Sequence, residues 1–566
     1  MRKVEFVDQT IRDAQQSLWG LMMRTDHIEP IAEMMDKVGY RAVATVGSQA
    51  FTIQVRHHGE DPWERIRILS GRMPRTPLRG SYQTASLSSF DLSTPRSIIA
   101  LWIKRSVANG IRSFWICDYQ ENVERFRYFA QIAKAEGAEV VTALMYTASP
   151  AHTEDHWAQK VKRITATKEC VDRIMIEDAA GILTPERTRA LITLVQRNCE
   201  GIPLEFHSHC NSGLAPLCYL EALQAGVTTL HTACAPLANG TSLPATETIL
   251  KNARRLGFDS DLNEDALAAV SAHFRKIAET ERLPIGVPAE YDLFHFDHQV
   301  PGGMMSNLKR QLRELGMEHR LGEILEEVIH VRREFGYPVM ATPFSQIVGV
   351  QAMENVVSGE RYKKIPDETI KYALQYYGPP VVPLDPNVMD KIMSLPRTKE
   401  FLNWEPEGYL KSVEELRREI GPELSDDALL LKILIPGKSA KKAPPKKKIA
   451  AETPPAPATV FTDAFCVEVD GEIFNVRILP RGQEGNPEKR ETTVLPDEAV
   501  VCDMAGLVLS LEVKTGDRVS PGDRVAVIEA MKMRRSVHAS RAGVVQEILV
   551  NEGDVIEPGS ILMVLA

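Results

Sequence analysis

The tripeptide His207-Ser208-His209 is the stretch of this sequence best prepared for chemistry. In an extended strand, side chains two residues apart share a face, so both imidazoles project together. Neutral imidazoles bind divalent cations, and carboxylates balance the charge. Asp13 and Glu177 end other apolar runs, which makes Asp13, Glu177, His207 and His209 a candidate metal set. The same residues could instead fill the site as a hydrogen-bonded polar cluster. Arg12 adjoins Asp13, and Arg79 interrupts another apolar run, so two cations fall near the same candidate site. A second candidate lies in Glu529-Ala530-Met531-Lys532-Met533, where a lysine stands between two methionines.

Eight strand-like runs, at 4–10, 41–47, 77–82, 111–118, 139–146, 172–177, 203–209 and 228–236, alternate with amphipathic helical stretches. Eight β-then-α units of this length predict a closed α/β (TIM) barrel with its site at the C-terminal ends of the strands. Asp13, Glu177, His207 and His209 all fall at such ends. Beyond residue 250 the strand pattern gives way to helices, for example 265–279 and 304–315. We divide the chain into a barrel (1–300), a helical unit (301–436), a Lys/Ala/Pro linker (437–459), a small β element (460–498) and a C-terminal β domain (499–566). The linker has almost no large apolar side chain and is expected to stay extended.

The C-terminal domain contains an internal repeat. Ala505-Gly506, Thr515-Gly516-Asp517 and Pro521-Gly522 recur 37 residues later as Ala542-Gly543, Glu552-Gly553-Asp554 and Pro558-Gly559. Short strands between glycine turns predict two copies closing as a small flattened all-β barrel. The unrepeated segment 529–541 would then form an exposed hairpin that displays Lys532. The plainer alternative is a solvated turn lysine.

With 44% hydrophobic and 25% charged residues, the 566-residue chain has a globular composition. Its net charge of -9 argues against a nucleic-acid partner, and the basic run from Lys438 to Lys448 reads as part of a solvated tether. Eight cysteines without paired spacing suggest reduced thiols in the cytoplasm. The sequence opens on the strand-like Val4-Glu5-Phe6-Val7, from which no signal peptide is expected, and it has no apolar run of the roughly 18 residues that a membrane span needs.

The C-terminal domain resembles the biotin carboxyl carrier domain, whose biotinylated lysine sits in a Met-Lys-Met tip. Lipoyl domains share the two-copy fold without the paired methionines, so Met531 and Met533 favour biotin on Lys532. Upstream, Ile11-Arg12-Asp13-Ala14, Leu78-Arg79-Gly80, Glu177-Asp178-Ala179-Ala180-Gly181, Phe206-His207-Ser208-His209, Pro301-Gly302-Gly303 and Gly359-Glu360-Arg361-Tyr362-Lys363 resemble the carboxyltransferase domain of pyruvate carboxylase. That domain also occurs in the oxaloacetate decarboxylase α subunit. The order, carboxyltransferase then carrier, is similar to the B subunit of two-subunit pyruvate carboxylases.

The resemblance implies a divalent metal (Zn, Mn or Co) on Asp13, His207 and His209, and a 2-oxo acid held by Arg12, Gln16 and Arg79. It also implies a proton-shuttling hydroxyl at Ser306. Glu177 stands where the family has a carbamylated lysine as fourth ligand, keeping a carboxylate on a shorter arm. Thr52, Tyr82, Gln15 and Cys210 are further departures around the pocket. The implied activity is carboxyl transfer between carboxybiotin on Lys532 and a small enolisable acceptor such as pyruvate. The implied partners are a separate ATP-dependent biotin carboxylase, a biotin protein ligase and further copies of the chain. Reverse transfer by a decarboxylase or transcarboxylase, and a carrier or assembly subunit with an altered barrel, are the alternatives.

Overall fold

The computed structural model describes residues 2–87, 92, 94–118, 122–314, 316–404, 410–435, 464–469, 472–477, 499–502, 506–530, 533–556 and 559–566. The linker 437–459 and most of 460–498 lie outside the described residues; within the latter, Ala464–Val469 pairs antiparallel with Glu472–Arg477.

Eight parallel strands close into a barrel: β1 Glu5–Asp8, β2 Ala42–Gly47, β3 Leu78–Gln83, β4 Ile111–Cys117, β5 Glu139–Met145, β6 Arg173–Asp178, β7 Leu204–Ser208 and β8 Thr229–Thr232. Each expected run contains or overlaps one of these strands, and the closed barrel is as predicted. Closure is direct, with Glu5–Asp8 in register against Thr229–Thr232. The outer layer is apolar: Trp63, Trp102, Phe114 and Phe129 are fully buried between strands and helices. Burying such side chains contributes roughly 1.5–3 kcal/mol each.

The lower barrel interior is charged. Arg79 donates to Glu205 at 2.6 and 3.2 Å, to Glu139 at 3.1 Å and to Ser113 at 2.9 Å. Arg173 approaches Glu139 at 3.4 Å and Glu205 at 3.6 Å, and Arg41 pairs with Glu139. These residues lie at or near the N-terminal ends of their strands, below the candidate site. A buried carboxylate survives there only because cations surround it. Burial opposes ionisation of Glu205, yet Arg79 and His231 hold its carboxyl far below the ordinary glutamate range.

The helical unit has its own core, built from Leu308, Val328, Phe335, Ile347, Ile370 and their neighbours. Its helix Gly302–Glu314 begins within Pro301-Gly302-Gly303, and Leu321–Glu334 follows it. The final helices, Val413–Ile420 and Asp426–Leu434, pack on the barrel rather than on the core of the helical unit. Leu416, Leu430 and Ile435 join the barrel core, and Asp427 binds Arg105 at 2.7 Å while its carbonyl accepts from the Trp63 indole. Apolar faces on both helices draw the chain back onto the barrel.

One segment of the helical unit enters the barrel mouth. Ala341 and Val339 pack with Trp115, Cys117, Met145 and Met175, and Gln83 donates to the Thr342 carbonyl at 3.4 Å. The C-terminal domain consists of two four-stranded sheets around two small cores, one holding Val500, Val545 and Leu565, the other Val508, Ile528 and Leu562. The repeat is visible in its turns. Gly516 and Gly553 have φ of 97° and 93°, and Gly522 and Gly559 have 91° and 88°, a left-handed conformation that glycine adopts without strain. Among the described residues no helix is long and apolar enough to cross a membrane.

Arg79→Met leaves Glu205 without its principal cation. It should cost about 3–5 kcal/mol in urea unfolding at neutral pH. The folded-state pKa of Glu205 is depressed, so the stabilisation is present above the ordinary glutamate range and is lost as pH falls below it. The difference between wild type and variant should therefore narrow in acid.

Candidate active site

After β1 the chain makes a π-helical turn, Thr10–Ala14, that runs into the helix Gln15–Trp19. Asp8 accepts from the Thr10 hydroxyl at 2.6 Å and amide at 3.2 Å, and the Thr10 hydroxyl accepts from Cys234 N at 2.9 Å. The turn is thus tied to the loop after β8, and it carries Arg12 and Asp13 over the barrel. Such π turns recur at functional sites because they re-aim side chains.

Asp13, His207 and His209 converge. His207 Nε2 lies 3.6 Å from one Asp13 oxygen and His209 Nε2 lies 3.5 Å from the other. The candidate ligand atoms of all three residues lie within 4.8 Å of one another, and the three residues are buried. His209 Nδ1 hydrogen-bonds the Thr241 carbonyl at 2.8 Å and must donate its proton, so in the neutral ring, the form that binds a cation, Nε2 presents a lone pair. His207 Nε2 has no hydrogen-bond partner. A buried polar atom without a partner is costly, and a cation between two imidazole lone pairs and a carboxylate would satisfy all three. The residues fit a divalent ion.

Charge follows this geometry. Burial works against the ionised form of Asp13, but Arg12, His209 and His207 hold its carboxyl well below the usual range. Burial keeps His207 neutral, whereas the charge of Asp13 overcomes burial at His209 and raises it. Glu177, at the end of β6, is fully buried with Oε2 unpartnered, and burial aided by the charge of Asp13 pushes its carboxyl up to about 8. Among the described residues the close ligand group contains Asp13, His207 and His209, without Glu177. A two-carbon arm from β6 stops short of the point on which the other three converge.

The remaining expected residues divide. Arg12 pairs with Asp13 and lies over Trp115, with its guanidinium carbon 4.3 Å from the ring centroid. Gln16 lies one residue before Ser17, whose hydroxyl donates to Asp13 at 3.2 Å and whose carbonyl accepts from Ser306 at 3.1 Å. Ser306 therefore stands beside the helix that follows Asp13. Gly302 permits this approach, since a Cβ there would come within 2.4 Å of the Thr241 carbonyl. Arg79 departs from the expectation that it holds substrate. It is 2% exposed and spends four hydrogen bonds on Glu205, Glu139 and Ser113, below the mouth. In the C-terminal domain, strands Arg524–Ala530 and Met533–His538 pair Ala530 with Met533. Met531 and Lys532, between those paired residues in sequence, lie outside the described residues.

Trp115, His231 and the inserted segment around Ala341 went unnoticed in the sequence. His231 alone left a trace, as a histidine one residue before the end of strand β8.

Three family models cover the chain in order. Residues 3–273 match the HMGL-like family, 296–478 the conserved carboxylase domain and 492–565 the biotin-requiring enzyme domain. The B subunit of pyruvate carboxylase from Methanocaldococcus jannaschii is 35% identical over 541 residues, covering 94% of each chain. The chain belongs to the pyruvate carboxylase B-subunit family of biotin-dependent carboxyltransferases. The 2-oxoglutarate carboxylase large subunit of Hydrogenobacter thermophilus is 31% identical over 600 residues, covering 95% of this carboxyltransferase and 91% of the relative. The carboxyl transferase domain of Rhizobium etli pyruvate carboxylase, solved with pyruvate, shares the fold at a TM-score of 0.69 and 23% identity over 77% of this chain and 76% of that one.

The carboxyltransferase purified without chelator should carry about one Zn, Mn or Co per chain by elemental analysis. At a hundred times its Kd the ion should stabilise the fold by about 2.7 kcal/mol, read as a rise in unfolding temperature. His209→Ala should abolish both effects.

Proposed function

We propose that this chain transfers a carboxyl group between N1 of a biotin carried on Lys532 and a small enolisable 2-oxo acid bound at the barrel mouth. The convergence of two imidazoles on Asp13, beside the guanidinium of Arg12 held between Asp13 and Trp115, carries this reading. Such a site suits a molecule with a carboxylate next to a carbonyl. Arg12 would hold the carboxylate through charge-assisted hydrogen bonds, its plane fixed by Trp115. The Gln16 amide would add a donor. Asp13, His207 and His209 would hold a divalent cation, which when bound polarises the carbonyl and stabilises enolate charge. Arg79 takes no part in holding substrate, because its donors are committed below.

The bond changes balance with a single proton transfer. The bond between biotin N1 and the carboxyl carbon breaks, a bond from that carbon to the acceptor's C3, next to its 2-oxo group, forms, and the proton lost from C3 passes to N1. The hydroxyl of Ser306 would carry that proton. The wall of Trp115, Met145, Met175 and Ala341 would keep water from the carboxyl group in transit.

The names of the relatives indicate two acceptors, pyruvate and 2-oxoglutarate, and a relative that is one component of a two-component carboxylase indicates a separate biotin carboxylase that charges the biotin. Biotin protein ligase would attach biotin to Lys532, with Met531 and Met533 as its flanking residues, and the chain would work as a homo-oligomer. The seven cysteines among the described residues are buried thiols outside any disulfide, which supports a reducing cytoplasm.

The test is bicarbonate fixation by the chain with its biotin carboxylase, offered pyruvate and 2-oxoglutarate separately. Lys532→Arg should lose the biotin mass increment and all fixation. Ser306→Ala should keep the biotin and lose about 10²- to 10⁴-fold in rate. Fixation into neither acceptor, with biotin in place, would favour a carrier or assembly role.

A further inference from the structure

The barrel interior below Asp13 holds a continuous chain of hydrogen bonds whose proton positions can be worked out from its lower end. Glu205 is held ionised by Arg79 and can only accept. His231 Nε2 lies 2.9 Å from Glu205 Oε2, so Nε2 carries the proton and donates. The neutral His231 ring then has a lone pair at Nδ1. Two groups approach that lone pair: Gln9 Nε2 at 2.9 Å and His207 Nδ1 at 3.2 Å. Gln9 donates to it, and a second lone pair facing it from His207 at 3.2 Å would repel it, so His207 Nδ1 carries its ring's proton and shares in the same acceptor, which leaves His207 Nε2 bare and aimed at Asp13. All five side chains, Arg79, Glu205, His231, Gln9 and His207, are at least 98% buried, so water does not scramble the sequence of donors and acceptors.

We propose that His231, clamped by Glu205, is a positioning residue that fixes the tautomer of His207 and so prepares its Nε2 for a divalent cation, and that Arg79 anchors this relay. The inference rests on the reading of Asp13, His207 and His209 as a cation site. It reassigns Arg79 from substrate to the support of a ligand. Partners of this kind set the orientation and basicity of ligating histidines, and their loss typically weakens metal binding tenfold to a hundredfold.

The test uses the full chain stripped of metal and titrated with Mn²⁺ alone, with unfolding of the stripped protein measured in parallel. His231→Phe retains a ring of similar size and removes the acceptor for His207. His231→Gln retains an acceptor for His207 and a donor for Glu205. The phenylalanine variant should bind Mn²⁺ about tenfold to a hundredfold more weakly than wild type, and the glutamine variant should recover most of that loss. Mn²⁺ affinity unchanged in His231→Phe would overturn the positioning role and leave the cation site intact. Equal loss in both variants, in step with lower unfolding temperatures, would mark His231 as structural and also overturn it. Wild-type protein that binds none of Mn²⁺, Co²⁺ or Zn²⁺ would overturn the cation site itself, and this role with it.

Discussion

A glutamate at the centre of a closed barrel cannot stay ionised without a cation against it, and the Glu205–Arg79 pair meets that condition here. Its two oxygens receive both Arg79 amino groups, with Glu139 and Arg173 completing the surroundings. Arranged this way, charge replaces the apolar side chains that more often fill such an interior. The substitution is costly in desolvation and specific in return. A Leu or Val in place of Glu205 would pack well, but it could not tell His231 which nitrogen to protonate. The polar contents of the barrel thus run from a structural base of ion pairs, through two histidines, to the carboxylate of Asp13.

The upper end of that column is governed by turns rather than strands. Asp13 reaches the axis because the chain leaves β1 in a π turn tied down by Asp8, Thr10 and Cys234 N. His209 is fixed from the loop after β8, through the Thr241 carbonyl, and Gly302 meets the same carbonyl from the helical unit. Three segments distant in sequence therefore share one backbone oxygen region. Small shifts in any of them would move a ligand.

Much of this was legible in the sequence. Alternation of apolar runs and helical stretches located all eight strands, because a parallel strand covered on both faces reads as a short apolar block. His207 and His209 announced themselves by spacing, and Lys532 by its place between two copies of a repeat. What stayed hidden depends on partners far apart in the chain. Nothing around Arg79 shows that Glu205, 126 residues later, will occupy its guanidinium, and an arginine ready for substrate looks the same as one already paired. The shortfall in reach at Glu177 was readable from side-chain length, but its unpartnered oxygen was not. Nor could hydropathy show that the last two helices return to the barrel core, since their apolar faces would suit either core.

The inserted segment around Ala341 has a consequence for synthesis. Trp115, Met145 and Met175 belong to strands made early, whereas Val339 and Ala341, which cover them, are made roughly two hundred residues later. Domains fold as they emerge, the N-terminal part first. A barrel that has already closed on the ribosome therefore exposes an apolar mouth until the helical unit follows. During that interval the nascent chain has a sticky opening at the end where its site will be, and a truncated product that stops before residue 339 keeps it. The same late-arriving wall would make a barrel produced alone prone to aggregate.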